Sequence, residues 1–96
     1  MQIRSFAHKG LRLLYTEDRA KDLPAESVDK LRKMLAFLSD MDGPNELYSL
    51  ATWKAHSLTG PRKGTWSLHV TRNWRLTFRV DAAAGLVYDV DLEDYH

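Results

Sequence analysis

The chain contains no cysteine, which excludes disulfides, thiolate nucleophiles and zinc sites built on sulfur. No apolar run approaches the roughly 18 residues needed to span a bilayer. The opening residues Met1-Gln2-Ile3-Arg4-Ser5 hold no hydrophobic stretch of the kind a secretory signal needs, so the expected address is the reducing cytoplasm. Charge of one sign is missing twice. Residues 47–80 contain no acid but six basic side chains: Lys54, Arg62, Lys63, Arg72, Arg75 and Arg79. Residues 81–96 contain no Lys or Arg but five acids: Asp81, Asp89, Asp91, Glu93 and Asp94. The first 46 residues balance, so the net charge of +1 conceals a basic middle followed by an acidic end. The basic block is where an anionic partner would be drawn. Part of it is also expected to pair with the acidic end across a sheet.

Ninety-six residues suit one domain, 1–96, and 44% hydrophobic with 10% aromatic side chains is the composition of a folding chain. Gln2–Phe6 reads as a short opening strand. Leu11, Leu14 and Tyr15 fall at i, i+3, i+4, which predicts a helix from about Lys9 to Thr16. Pro24 sits where a first-turn proline belongs, and Val28, Leu31, Leu35 and Leu38 repeat at 3-4-3 spacing on a helix ending near Met41. Asp42-Gly43-Pro44 stops it. Three runs then alternate with period two, at Trp66–Thr71, Trp74–Val80 and Leu86–Glu93, as in an antiparallel meander with one covered and one wet face. The expected fold class is α+β, an N-terminal helical hairpin packed on one face of a small antiparallel β-sheet.

In all three runs the apolar members chosen for the covered face have even numbers. Directly opposed residues share a face, so paired numbers must sum to an even value. A three-residue loop, Thr71-Arg72-Asn73, meets that rule by pairing Val70 with Trp74, Leu68 with Leu76 and Trp66 with Phe78. A loop of Asp81 to Gly85 does so for the second hairpin, pairing Val80 with Leu86, Thr77 with Asp89 and Arg75 with Asp91. Trp66 and Trp74 then belong to the core. The wet face displays Ser67, His69, Thr71, Arg75, Thr77 and Arg79, a spacing of cations that suits a phosphate backbone.

Side chains able to do acid–base work are His56, Asp94, Tyr95 and His96, with Lys54, Arg75 and Arg79 as nearby cations. His56 reads as a loop residue before the first meander strand, and His8 and His69 read as solvated. RNA carries its own nucleophile, the 2′-hydroxyl, so its cleavage needs neither a metal nor a protein nucleophile. It needs a base, an acid and cations for the phosphorane, roles that two histidines and an arginine fork can fill. Strict alternation separates Tyr95 from Asp94 and His96, so the last strand must bend after Leu92 if all three serve one site. That site requires the terminal tripeptide to meet His56 across an arginine-lined hollow.

Lys54-Ala55-His56-Ser57-Leu58-Thr59-Gly60, Gly64-Thr65-Trp66-Ser67-Leu68-His69-Val70, Asn73-Trp74-Arg75-Leu76-Thr77-Phe78 and Glu93-Asp94-Tyr95-His96 together resemble the HigB-type toxins of the RelE/ParE superfamily, over the whole length. The resemblance implies a toxin of a bacterial type II toxin–antitoxin system, an endoribonuclease that cleaves mRNA on the ribosome and needs no cofactor. It implies a helix-turn-helix antitoxin of the HigA type as partner, with operator DNA reached only through the complex. Carried over, the catalytic positions are His56, Arg75, Asp94, Tyr95 and His96, and the RNA-binding cations are Lys54, Arg62, Lys63 and Arg79. Relatives often have Lys where this chain has Thr59, which would weaken the grip or shift it to Lys63 or Arg62. Two rival functions remain: a ParE-like inhibitor of gyrase, and a non-catalytic RNA- or operator-binding module.

Overall fold

The computed structural model describes residues 1–95. Strand β1 (Gln2–Ile3) leads into helix α1 (Lys9–Glu17), and a single 3-10 turn (Ala25–Ser27) runs into helix α2 (Val28–Asp40). Short 3-10 turns at Pro44–Ser49 and Ala51–Trp53 precede β2 (His56–Ser57), and another at Gly60–Arg62 precedes β3 (Thr65–His69), β4 (Trp74–Asp81) and β5 (Leu86–Asp94). The strand order β1-β5-β4-β3-β2 makes one five-stranded sheet. Its neighbours are antiparallel except β1, which runs parallel to β5.

Helix α1 begins where His8 Nδ1 accepts the Leu11 amide at 3.2 Å, so this histidine is used as a helix cap. Gly10 is required beside it, because a Cβ there would lie 2.8 Å from the His8 ring. Helix α2 buries Leu31, Met34, Leu35 and Leu38 in one stripe, with Val28 half-buried at its start. These side chains meet Leu68, Leu76, Phe78, Val87, Val90 and Leu92 from the sheet in a single hydrophobic core. Trp66 and Trp74 are half-buried and pack against it, as their even numbers require.

The first hairpin has the predicted register: Trp66 opposes Phe78, Leu68 opposes Leu76, and the Val70 amide donates to the Trp74 carbonyl at 3.1 Å. The second hairpin does not. Asp81 opposes Leu86, Val80 opposes Val87 and Arg79 opposes Tyr88, so the loop is one residue shorter than expected. The pairing then shifts, and Thr77 meets Asp91, Leu76 meets Leu92 and Arg75 meets Glu93. The extra residue on β5 is accommodated beside Asp89, held in the left-handed region at φ 54°. Ser5 secures this bulge, its hydroxyl accepting the Asp89 amide at 2.9 Å and its carbonyl the Val90 amide at 3.2 Å. Side chains before the bulge therefore change faces, and odd-numbered Val87 is fully buried. Parity fails there because a bulge adds one residue without adding a pair. The expected Arg75–Asp91 pairing is replaced by Arg75 opposite Glu93.

The candidate active-site face

Rows across the sheet define the face turned away from the core. His56 opposes Ser67, Ser67 opposes Thr77, and Thr77 opposes Asp91, giving one row over four strands. The next row runs His69–Arg75–Glu93. Beyond it the Tyr95 amide donates to the Asn73 carbonyl at 2.8 Å, so the chain stays in register past Asp94. There is no bend after Leu92 within the described residues. Asp94 opposes Trp74 on the core side, and Tyr95 lies on the same side of the sheet as Arg75.

This face is less open than the alternation suggests. Ser67, Thr77 and Thr65 are buried, and the Ser67 hydroxyl finds no hydrogen-bond partner. Arg62 reaches over from its 3-10 turn and grips Glu93 with both guanidinium nitrogens, at 2.8 and 2.5 Å. The Thr77 hydroxyl donates to the same carboxylate at 2.5 Å. The Arg62 bonds dominate and hold the Glu93 carboxyl below the usual carboxylate range, against the opposing effect of its partial burial, with Thr77 adding to the lowering. Arg62, expected as an RNA-binding cation, is thus already neutralised.

Arg75 has a different setting. Its Nη1 donates to the carbonyls of Thr71 at 2.7 Å and Trp74 at 3.1 Å, which pins one edge of the guanidinium to the hairpin end. The guanidinium lies 4.6 Å from the centre of the Tyr95 ring, and Tyr95 is 47% exposed. Such a contact is worth about 0.5–1 kcal/mol at an exposed site. No carboxylate among the described residues pairs with Arg75.

His56 is not in a loop but on the edge strand β2, and it is exposed. Lys54 before it takes φ 49°, and its carbonyl accepts from His56 Nδ1 at 2.9 Å. A carbonyl can only accept, so Nδ1 carries the proton and Nε2 points away from that bond. Lys54 and Lys63 are exposed. Arg79 is half-buried beneath Gly64, whose φ of 93° and lack of Cβ leave room for it, and its Nε donates to the Tyr88 hydroxyl at 3.3 Å. His96 lies outside the described residues.

The structure therefore brings Arg75 and Tyr95 together and places His56 on the same face of the sheet, three strands from β5. At about 4.8 Å per strand that is roughly 14 Å across the sheet. Asp94 is turned to the other side. His69, read as solvated, is the residue the sequence reasoning passed over: it is half-buried and directly opposite Arg75. Its place in an alternating strand beside Arg75 was the available signal. Burial first, then the positive charges of Arg75, Lys30 and Lys54, push its pKa below the ordinary value.

A family model described as the RelE-like toxin of type II toxin–antitoxin system HigB matches residues 4–96. The chain belongs to the HigB-like toxin family. Endoribonuclease HigB of Proteus vulgaris is 38% identical to this toxin over 94 residues, which cover 98% of this chain and 99% of that protein. Among solved structures, YafQ from E. coli strain BL21(DE3) superposes with a TM-score of 0.60 at 20% identity, covering 97% of the toxin and 91% of YafQ. The YoeB/ParE toxin from Agrobacterium tumefaciens gives 0.61 at 16% identity over the full length of both chains. These two likenesses establish the shared fold. As a toxin of a toxin–antitoxin pair, the protein has an antitoxin as partner. No helix among the described residues is long and apolar enough to cross a membrane.

Proposed function

We propose that this toxin is an endoribonuclease that cuts mRNA by attack of the 2′-oxygen on the adjacent phosphorus. The 2′-oxygen loses its proton to a base and the P–O5′ bond breaks. The departing 5′ oxygen takes a proton from an acid, leaving a 2′,3′-cyclic phosphate. No protein nucleophile is consumed. The observation that carries the reading is Arg75, pinned at one edge, unpaired by any described carboxylate and stacked on exposed Tyr95. A fork so held can grip a phosphodiester while the tyrosine stacks a base, and stacking contributes about 1–3 kcal/mol. Full-length similarity to an endoribonuclease supports the same chemistry.

In this reading Arg75 stabilises the phosphorane, His56 in its imidazolium form is the acid, giving up the proton of its outward Nε2, and His96 is the base; Asp94, on the opposite side of β5, takes no part in the proton transfers. Lys54 supports His56 through its carbonyl. Lys63 and Arg79 contact backbone phosphates, and Arg62 does so only when released from Glu93. Cleavage takes place on the ribosome, and the antitoxin is of the HigA type.

Mapping 5′ ends of cellular mRNA after induction, and of purified messages with and without ribosomes, tests this. New ends are expected with wild-type toxin, with deletion of residues 94–96 and His56→Ala each abolishing them. Intact messages, or toxicity that survives the deletion, would point instead to a protein-directed poison of the ParE kind.

A further inference from the structure

On the face turned away from the core, the other end of the sheet carries a hollow of about 380 Å³ lined by Arg4, Ser5, Asp81, Leu86 and Tyr88. Buried Ile3 and Val87 fix its orientation, because their neighbours Arg4, Leu86 and Tyr88 must point the other way. The Arg4 amide donates to the Val87 carbonyl at 2.7 Å, which brings Arg4 level with Tyr88 on the adjacent strand. From the other side, Asp81 opposes Leu86 and Arg79 opposes Tyr88. Half-buried Leu86 and Tyr88 thus form the floor. Exposed Arg4, just past β1, is one wall, and exposed Asp81, at the end of β4, is the other.

With β5 between them, the two walls stand two strand spacings apart, roughly 10 Å. Neither Arg4 nor Asp81 enters an ion pair among the described residues. Asp81 Oδ1 accepts the Ala84 amide at 3.1 Å, which leaves Oδ2 without a hydrogen bond. The Tyr88 hydroxyl accepts from Arg79 Nε at 3.3 Å and keeps its own proton to donate. The hollow therefore offers a cation at one end, a carboxylate at the other and a largely apolar floor between them. Its volume falls within the roughly 300–1,000 Å³ of small-ligand sites. Arg79 lies four residues from Arg75 on the same face of β4, about 13 Å along the strand, so the hollow and the Arg75–Tyr95 pair share one face.

We infer that this hollow is a nucleotide subsite for the RNA strand that Arg75 grips, holding a nucleotide a short way along the strand from the cut. Arg4 takes its phosphate, the base lies on Leu86 and the Tyr88 ring, and Asp81 accepts from an exocyclic amino group. Adenine, cytosine and guanine carry that group. Uracil instead sets its one imide N–H between two carbonyls, which a carboxylate repels. A free inorganic anion would satisfy Arg4 and be repelled by Asp81. Opposite charges held apart across a flat floor therefore favour a nucleotide over a simple anion. The subsite rests on the endoribonuclease reading for the identity of its ligand, and it assigns work to Arg4, Asp81 and Tyr88.

Cytosine and uracil differ only along this edge, so the probes are 2′-O-methyl oligocytidylate and oligouridylate of equal length, whose blocked 2′-oxygens prevent cutting. Affinity is read by fluorescence anisotropy over a salt series. The wild-type toxin is expected to bind the cytidine strand on the order of fivefold more tightly. Asp81→Asn, which keeps an acceptor for the Ala84 amide, should erase that preference. Arg4→Gln should weaken both strands alike and flatten the logarithmic salt dependence by about 0.7. Arg12→Gln, exposed on α1 across the core, leaves every value unchanged. Equal affinity of the wild type for the two strands, a cytidine preference that survives Asp81→Asn, or an unchanged salt dependence in Arg4→Gln would each overturn the subsite. So would an absence of wild-type binding at any salt, which would leave the hollow to a protein partner. A cytidine preference lost in Asp81→Asn, with no message cleavage by the wild type, would leave the subsite standing and sink the nuclease reading instead.

Discussion

Arg62 and Arg75 both stand over the face of the sheet turned away from the core, in a stretch of 34 residues with no acid, yet they end in opposite circumstances. Arg62 is clamped by both nitrogens to Glu93 from the acidic end of the chain, and Thr77 completes the arrangement. Arg75 is tied only to backbone carbonyls and a tyrosine ring. The basic block is thus two regions. Toward the Gly60–Arg62 turn the charge of Arg62 is neutralised and its side chain covers buried Ser67 and Thr77; toward the Thr71–Asn73 loop Arg75 remains without a carboxylate among the described residues. Counting positive charges would rank these regions as equals, and only the location of the carboxylates separates them.

The sharpest way to break this contrast is to truncate each arginine. Arg75→Ala should lower the rate of message cleavage by about a hundredfold or more, the usual loss when a charge-stabilising donor is removed. Arg62→Ala should cost less than about tenfold in the same assay, since its charge is already taken. Equal losses would erase the distinction.

Glu93→Gln probes the neutralised end. It should destabilise the protein by about 1 kcal/mol, a modest figure because Arg62 is half-exposed. It should also free Arg62, steepening the salt dependence of RNA binding by about 0.7. The acid limb offers a further check. A carboxyl whose pKa is lowered by folding stabilises the native state above its ordinary value near 4.5, and that stability drains away as pH falls through the folded value. Chemical denaturation at a series of pH values should show a shallower acid loss for Glu93→Gln than for the wild type.

The smallest effect belongs to the uncompensated end. His69 is harder to protonate folded than unfolded, so the unfolded chain binds more protons as pH drops through about 6.5. Stability should therefore decline over that window, and His69→Gln should flatten the decline.

Much of the scaffold could be read from residue types. Period-two runs and the requirement that partners share a face fixed the first hairpin register, because Val70, Leu68 and Trp66 have no other way to stay inside. The same reasoning misplaced the second hairpin. A bulge at a left-handed aspartate leaves only a weak local mark, and the hydroxyl that supports it comes from Ser5, far away in the chain. The 3-10 turns over residues 44–62 were also hidden, since irregular segments carry no periodic signal. At the site, odd numbering put Arg75 on the wet face, but the expected bend after Leu92 is absent because the chain keeps its pairing as far as Tyr95, which leaves Asp94 on the other side. The commitment of Arg62 to Glu93 was not legible, because it crosses from a turn to a strand 31 residues later.

β5 is the last of the five strands along the chain but lies between β4 and β1, so neither neighbour is joined to it until residues 86–94 have been synthesised. It is also the layer against which Ile3 and Phe6 close, through Val87 and Val90. Tyr95 meets Arg75 only after that final strand is inserted. The stack that offers Arg75 to a phosphate is therefore only as secure as the insertion of one strand between two others.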